Sequence, residues 1–186
     1  MPIEVFELHF LATHCDSSHP IFCEVGTWKG KSAYVLGSAA KAVRGRLYCI
    51  DPFTAVGDAV SARAYQESLI ASDLSLYDQF LANIKKYGLQ DVVTPICQTS
   101  SDAINHFPEC QIDLLFIDGN HDFDYVVKDY LLWHPLIKKN GHIIFHDVGA
   151  KHTQGPRKVV EKYIYANAQW ADVRMVGEMV VARKAM

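Results

Sequence analysis

Two stretches place polar groups directly behind apolar runs. The first is Leu114-Leu115-Phe116-Ile117-Asp118-Gly119-Asn120-His121-Asp122, and the second is Ile143-Ile144-Phe145-His146-Asp147. If the two runs are adjacent buried strands, their ends bring Asp118, His146 and Asp147 within reach of one another. Carboxylate oxygens alone suit Mg²⁺ or Ca²⁺, and an imidazole among them shifts the preference toward Mn²⁺ or another transition metal. The plainer alternative is that both aspartates cap the segments that follow and that His146 is a hydrogen-bonded core histidine.

A third stretch, Cys23-Glu24-Val25-Gly26-Thr27-Trp28-Lys29-Gly30-Lys31-Ser32, supplies two glycines where the backbone must turn and approach a ligand. Its spacing is neither the GxGxxG of a dinucleotide fold nor the GxxxxGK[ST] of a P-loop. Glu24, two residues before the first glycine, repels a pyrophosphate and attracts a cationic amino group. Asp51, at the end of Tyr48-Cys49-Ile50-Asp51-Pro52, is placed to accept hydrogen bonds from a ribose. The hydroxyls of Gln98-Thr99-Ser100-Ser101-Asp102 face an adenine edge or cap a helix.

Residues so placed need strands that end together. Short apolar runs recur at Ile21–Val25, 47–50, 92–96, 114–117 and 143–145, each closed by a polar residue or glycine. Near-pure apolar runs are how strands of a parallel sheet, buried on both faces, read in sequence. Helical spacing fills the gaps over 31–43, 75–87, 122–137 and from Pro156 to about residue 168, with Gly88 and Asn140-Gly141 as stops. Strand alternating with helix implies right-handed crossovers and an open α/β sheet. The runs 173–176 and 179–182 are separated only by Gly177-Glu178, too short for a crossover helix, so they form a hairpin and one strand runs antiparallel. Residues 53–74 are polar and alanine-rich, and read as a cap over the site with a helix near 62–71.

Composition narrows the classes. The 186 residues are 49% hydrophobic and 21% charged, with a net charge of −3, as in a single globular domain. A weakly acidic chain lacks the footprint for phosphate backbones, so no nucleic-acid partner is expected. No apolar run approaches a membrane span, and no signal peptide is evident at the start. The five cysteines, at 15, 23, 49, 97 and 110, form no CxxC pair and fit a reducing, cytoplasmic setting. Trp28, Tyr65, Phe123, Trp133 and Trp170 read mainly as core aromatics.

The E-x-G-x-x-x-G-x-S segment at Glu24–Ser32, with Asp51 and the later I-D-G-x-H and H-D elements, resembles class I S-adenosylmethionine-dependent methyltransferases. The likeness runs from about Ile21 to the C-terminus. It is to the catechol O-methyltransferase superfamily and its macrocin-type sugar O-methyltransferase branch. The resemblance implies one Rossmann-like domain over 1–186, mostly parallel, with a C-terminal antiparallel hairpin and flanking helices. It implies that Glu24, Gly26, Thr27, Trp28, Ser32 and Asp118 line the cofactor, that Asp51 holds the ribose, and that Ser100 and Ser101 flank the adenine. Asp118, His146 and Asp147 occupy the family's metal positions, with Mg or Mn as the ion, although histidine replaces the usual carboxylate at 146. His121 stands where a catalytic lysine is found and becomes the expected general base, with Asp118 beside it. Acceptor contacts are expected from residues 53–74 or from a second subunit of a homodimer. The expected reaction is methylation of a small-molecule or sugar hydroxyl. A nicotinamide- or nucleotide-binding oxidoreductase and a non-catalytic S-adenosylmethionine-binding module are the alternatives.

Overall fold

The computed structural model describes residues 2–54, 56–70, 72–107 and 111–185. Cys110 and the end of the expected cap helix at residue 71 lie outside the described residues. Helix α1 (Pro2–Thr13) precedes β1 (Ile21–Val25), α2 (Lys31–Ala42) and β2 (Arg46–Ile50). Two helices follow, α3 (Ala59–Ile70) and α4 (Leu76–Lys86), then β3 (Val93–Ile96), the short α5 (Ser100–Ala103) and β4 (Ile112–Ile117). Helix α6 (Phe123–Trp133), β5 (Ile137–Phe145), α7 (Gly155–Tyr163), β6 (Trp170–Val176) and β7 (Met179–Lys184) complete the chain.

The seven strands form one sheet in the order β3-β2-β1-β4-β5-β7-β6. Strands β1 to β5 pair in parallel, while β7 runs antiparallel to both β5 and β6. The strand order reverses between β1 and β4, so a crevice opens beyond their carboxyl ends. Both faces are covered. Phe22, Leu36, Phe80, Leu114 and Ile144 pack under α1, α2 and α4, and Leu115, Val126, Trp133, Phe145 and Val159 pack under α6 and α7. Trp133 and Trp170 belong to this core, as expected.

Three elements differ from the sequence expectation. Helix α6 stops at Trp133, because Pro135 cannot continue it, and His134–Leu136 form a 3₁₀ turn. Asn140-Gly141 is no stop: it lies inside β5, where Asn140 has φ 65° and the register against β4 shifts between Ile112 and Leu114. A Cβ on Gly141 would sit 2.9 Å from the Ile112 carbonyl oxygen, so only glycine permits this bulge. Helix α7 ends at Tyr163, and the amide of Asn167 bonds back to the Tyr163 carbonyl at 3.2 Å. Helix α1, absent from the periodicity reading, packs across α2 and reaches the crevice.

Candidate functional site

The turn after β1 is held from three sides. Gly26 adopts φ 84°, and a Cβ there would meet the Asp118 carbonyl oxygen and the Gly119 Cα at 2.4 Å. The β1 loop and the β4 turn therefore touch backbone to backbone. Asp51, at the end of β2, turns its carboxylate onto the loop. Its Oδ2 accepts the main-chain N–H groups of Thr27 (3.0 Å) and Trp28 (2.9 Å), and its Oδ1 accepts that of Phe53 (2.7 Å). These bonds hold Trp28 at φ 45°, in the left-handed region that side chains rarely adopt.

Below the loop, Glu24 is fully buried. Its Oε2 accepts the Thr27 hydroxyl at 2.6 Å and the Cys49 thiol at 3.4 Å, while Oε1 has no hydrogen-bond partner. Burial pushes its pKa up to about 7, against the lowering effect of the nearby hydroxyls. A buried carboxylate with an unused oxygen is a waiting acceptor for a cationic or hydrogen-bonding group.

A cavity of about 350 Å³ opens above this loop. Of the expected cofactor residues, Gly26, Thr27, Trp28, Ser32 and Asp118 line it. Glu24 and Asp51 brace the loop from beneath and behind. Ser100 instead donates its hydroxyl to Asp129, and Ser101 pairs with Thr99 in the first turn of α5. The cap of α5 is Thr99, whose hydroxyl oxygen accepts the Asp102 N–H at 3.3 Å. The far wall comes from Ser61, Ala64 and Tyr65 of α3 and, not legible in the sequence, from Glu4, Val5 and Leu8 of α1 and Met179 of β7. The wall thus draws on α3, within residues 53–74, and on α1. Tyr65 meets Trp28 edge-on at 6.0 Å, joining the cap to the glycine loop.

The polar floor gathers Asp118, His121, His146 and Asp147. Asp147 follows β5 at φ 55°, which turns its side chain back toward β4. His121 lies between two carboxylates: Nδ1 is 2.8 Å from Asp58 and Nε2 is 2.8 Å from Asp147. Against desolvation, these bonds push the His121 pKa up to about 9. The ring is therefore a cation at neutral pH, and neither nitrogen is open to take a proton as the expected base would. His146 has Nδ1 at 3.2 Å from Asp118 and 3.3 Å from Asp147, and Nε2 at 4.0 Å from Glu4. Against desolvation, the adjacent carboxylates push its pKa up to about 10. Its Nδ1 is buried and makes no directed hydrogen bond, while its ring lines the cavity beside His121.

The donor atoms that converge are those of Asp118, His121 and Asp147, all within 4.8 Å of one another. The sequence expectation had His146 in the third place and His121 as base. His121 joins the two aspartates through the turn after Asp118, and His146 stands beside them at the end of β5, with both rings lining the cavity. Asp58 was missed altogether. Its spacing to Ser61 marks a helix start, but nothing in the sequence links it to His121.

Comparison with known proteins agrees with this architecture. Residues 23–148 match the family described as "Methyltransferase domain". Uncharacterized protein R132 of Acanthamoeba polyphaga mimivirus is 28% identical over 149 residues, covering 76% of this chain, and the chain spans 60% of that relative's length. The O-methyltransferase TomG from Streptomyces achromogenes, solved with SAM, superposes with a TM-score of 0.67 at 15% identity, over 98% of this chain and 80% of TomG. An O-methyltransferase from Bacillus cereus in complex with SAH gives 0.66 at 17% identity, over 99% and 82%. With two thirds of its length matched and the crevice at the expected switch point, the chain belongs to the methyltransferase domain family and has its class I, S-adenosylmethionine-type fold.

Proposed function

We propose that the chain transfers a methyl group from S-adenosylmethionine to a hydroxyl of a small molecule. The observation that carries this reading is the meeting, in one cavity, of the loop braced by Asp51 and Glu24 with the floor of Asp118, His121 and Asp147. Thr27, Trp28 and Ser32 line the cofactor side, with Glu24 buried beneath them. The apolar wall of Val5, Leu8 and Met179 holds the body of the acceptor and turns its hydroxyl to the polar floor.

S-adenosylmethionine supplies an activated methyl: the O–CH₃ bond forms as the S–CH₃ bond breaks, leaving S-adenosylhomocysteine and a released hydroxyl proton. The protein must align the oxygen and favour loss of that proton. Asp118, His121 and Asp147 suit a divalent ion, and such an ion would lower the pKa of the hydroxyl and fix its position. His121 then contributes Nε2 as a ligand in place of the base role. Two acidic ligands and one imidazole favour Mn²⁺ or another transition metal over Mg²⁺. His146 keeps its positive charge behind the carboxylates and orients them.

Calorimetry with S-adenosylhomocysteine and with NAD tests the cofactor. Binding of S-adenosylhomocysteine in the micromolar range, with NAD far weaker, is expected; tighter binding of NAD would return the oxidoreductase alternative. Turnover of labelled S-adenosylmethionine against phenols, sugars and amines then sorts the acceptor. Transfer to amines alone overturns O-methylation.

A further inference from the structure

Asp58 lies in the cap, on the segment least constrained by the strand pattern, yet its side chain is only 3% exposed. It begins α3 by accepting the Ser61 N–H on Oδ1 at 3.0 Å, while its own carbonyl accepts the Ala62 N–H at 2.9 Å. Its other oxygen faces away from the helix. Oδ2 accepts both the main-chain N–H of His121 at 3.0 Å and the ring Nδ1–H at 2.8 Å, with the Ser61 hydroxyl at 3.1 Å.

A helix start does not require this. Serine and asparagine cap as well as aspartate, and most caps sit in water. Burying a full carboxylate is costly unless its oxygens are paired. Here, beside the two bonds to Ser61 within the cap, two go to one residue 63 positions away, through its main chain and its ring. One oxygen bound to both the backbone N–H and the ring fixes the ring plane relative to its own main chain. The ring then presents Nε2 to Asp147 and to the floor of the cavity. Carboxylates that hold the far nitrogen of a ligating histidine raise its basicity and set which nitrogen faces the ion.

We propose that Asp58 is a positioning residue: the cap helix delivers it to His121, where it fixes the ring so that Nε2 faces the Asp118–Asp147 floor. This assignment rests on the proposed function only for the purpose that Nε2 serves. The orientation itself stands on the contacts above.

The test uses the full chain with ¹⁵N-labelled histidine and two variants, Asp58→Ser and Asp58→Asn. Both keep a good helix cap; serine is too short to reach the ring, and asparagine reaches it without charge. The readouts are the slowly exchanging Nδ1–H resonance of His121, assigned by its loss in His121→Gln, and the affinity for Mn²⁺. The wild type should show the resonance. Asp58→Ser should lose it and bind Mn²⁺ about 10–100-fold more weakly, with Asp58→Asn between, while S-adenosylhomocysteine affinity is retained. If Asp58→Ser keeps both the resonance and the Mn²⁺ affinity, Asp58 is only a cap and the assignment is overturned, whatever happens to the melting temperature. A wild type that binds no Mn²⁺ overturns the ion reading of the floor, and the ring resonance alone then decides the role of Asp58.

Discussion

Gly26 and Asp118 are in backbone contact: a Cβ on the glycine would lie 2.4 Å from the aspartate's carbonyl oxygen. Two strands that carry different parts of the site are thereby locked at one distance. The amide N–H of Asp118 bonds to the carbonyl of Val25 at 2.8 Å, on the other side of the same contact. Gly26→Ala must either part the strands or shift the turn, and it also forces a side chain to φ 84°. A left-handed residue with a Cβ costs about 1–2 kcal/mol before any clash. A melting temperature lower by at least about 4 °C is expected, at ~2–4 °C per kcal/mol, together with loss of S-adenosylhomocysteine binding. A variant with unchanged melting and binding would show that the turn is free to move.

Asp51 has three main-chain amides on two oxygens, which leaves room for one further hydrogen bond on Oδ1. A ribose hydroxyl can take that place. Asp51→Ala releases Thr27, Trp28 and Phe53 at once, and charged hydrogen bonds contribute roughly 1.5–3 kcal/mol. Cofactor affinity should fall by about 10–100-fold, with part of the loss arising from a slack loop. Calorimetry on the variant checks this, and Asp51→Asn should recover part of the affinity because one oxygen still accepts.

Glu24 gives the protein a pH signature. Its folded pKa, about 7, is above the model-peptide carboxylate value of about 4.3, so burial favours the protonated form. The folded state then binds more protons than the unfolded chain between about pH 4 and 7. Stability from this group is full below the unfolded value and is lost as pH rises toward 7, by up to about 3 kcal/mol at ~1.4 kcal/mol per unit. Glu24→Gln has no such ionisation. The melting difference between variant and wild type should therefore move in the variant's favour from pH 4.5 to 7.5. A difference that is flat with pH would mean that Glu24 stays ionised throughout.

The polar floor separates two ligand sets. Mn²⁺ should raise the melting temperature of the wild type, and Asp118→Ala should abolish the rise. His146→Gln should keep it, because the converging donors are those of Asp118, His121 and Asp147, while His121→Gln should lose it. Since the His121 ring is protonated at neutral pH, uptake of the ion at Nε2 must release a proton. Calorimetry at pH 7.5 in buffers of different ionisation enthalpy reads that proton. Full methyl transfer in excess chelator would set the ion aside and leave these residues as a charge network.

Sequence patterning was enough for the strands, the terminal hairpin and the glycine loop, because a two-face-buried strand and a two-residue turn leave local signatures. It also located Asp51, Asp118 and Asp147, which follow strands and so inherit positions from the sheet order. It could not decide which of the two histidines lining the cavity converges with the aspartates. His121 and His146 both sit just past a strand, and their difference depends on a left-handed Asp147 and a cap residue 63 positions away from His121. Asn140-Gly141 shows the same limit: the pair reads equally as a helix stop or a strand bulge, and only the close approach of β4 selects the bulge. Likewise the hydroxyls of Ser100 and Ser101 suit an adenine or a helix turn, and Asp129, on α6, takes the first of them. Local composition determined which elements form. Contacts between residues remote in sequence determined which side chains meet.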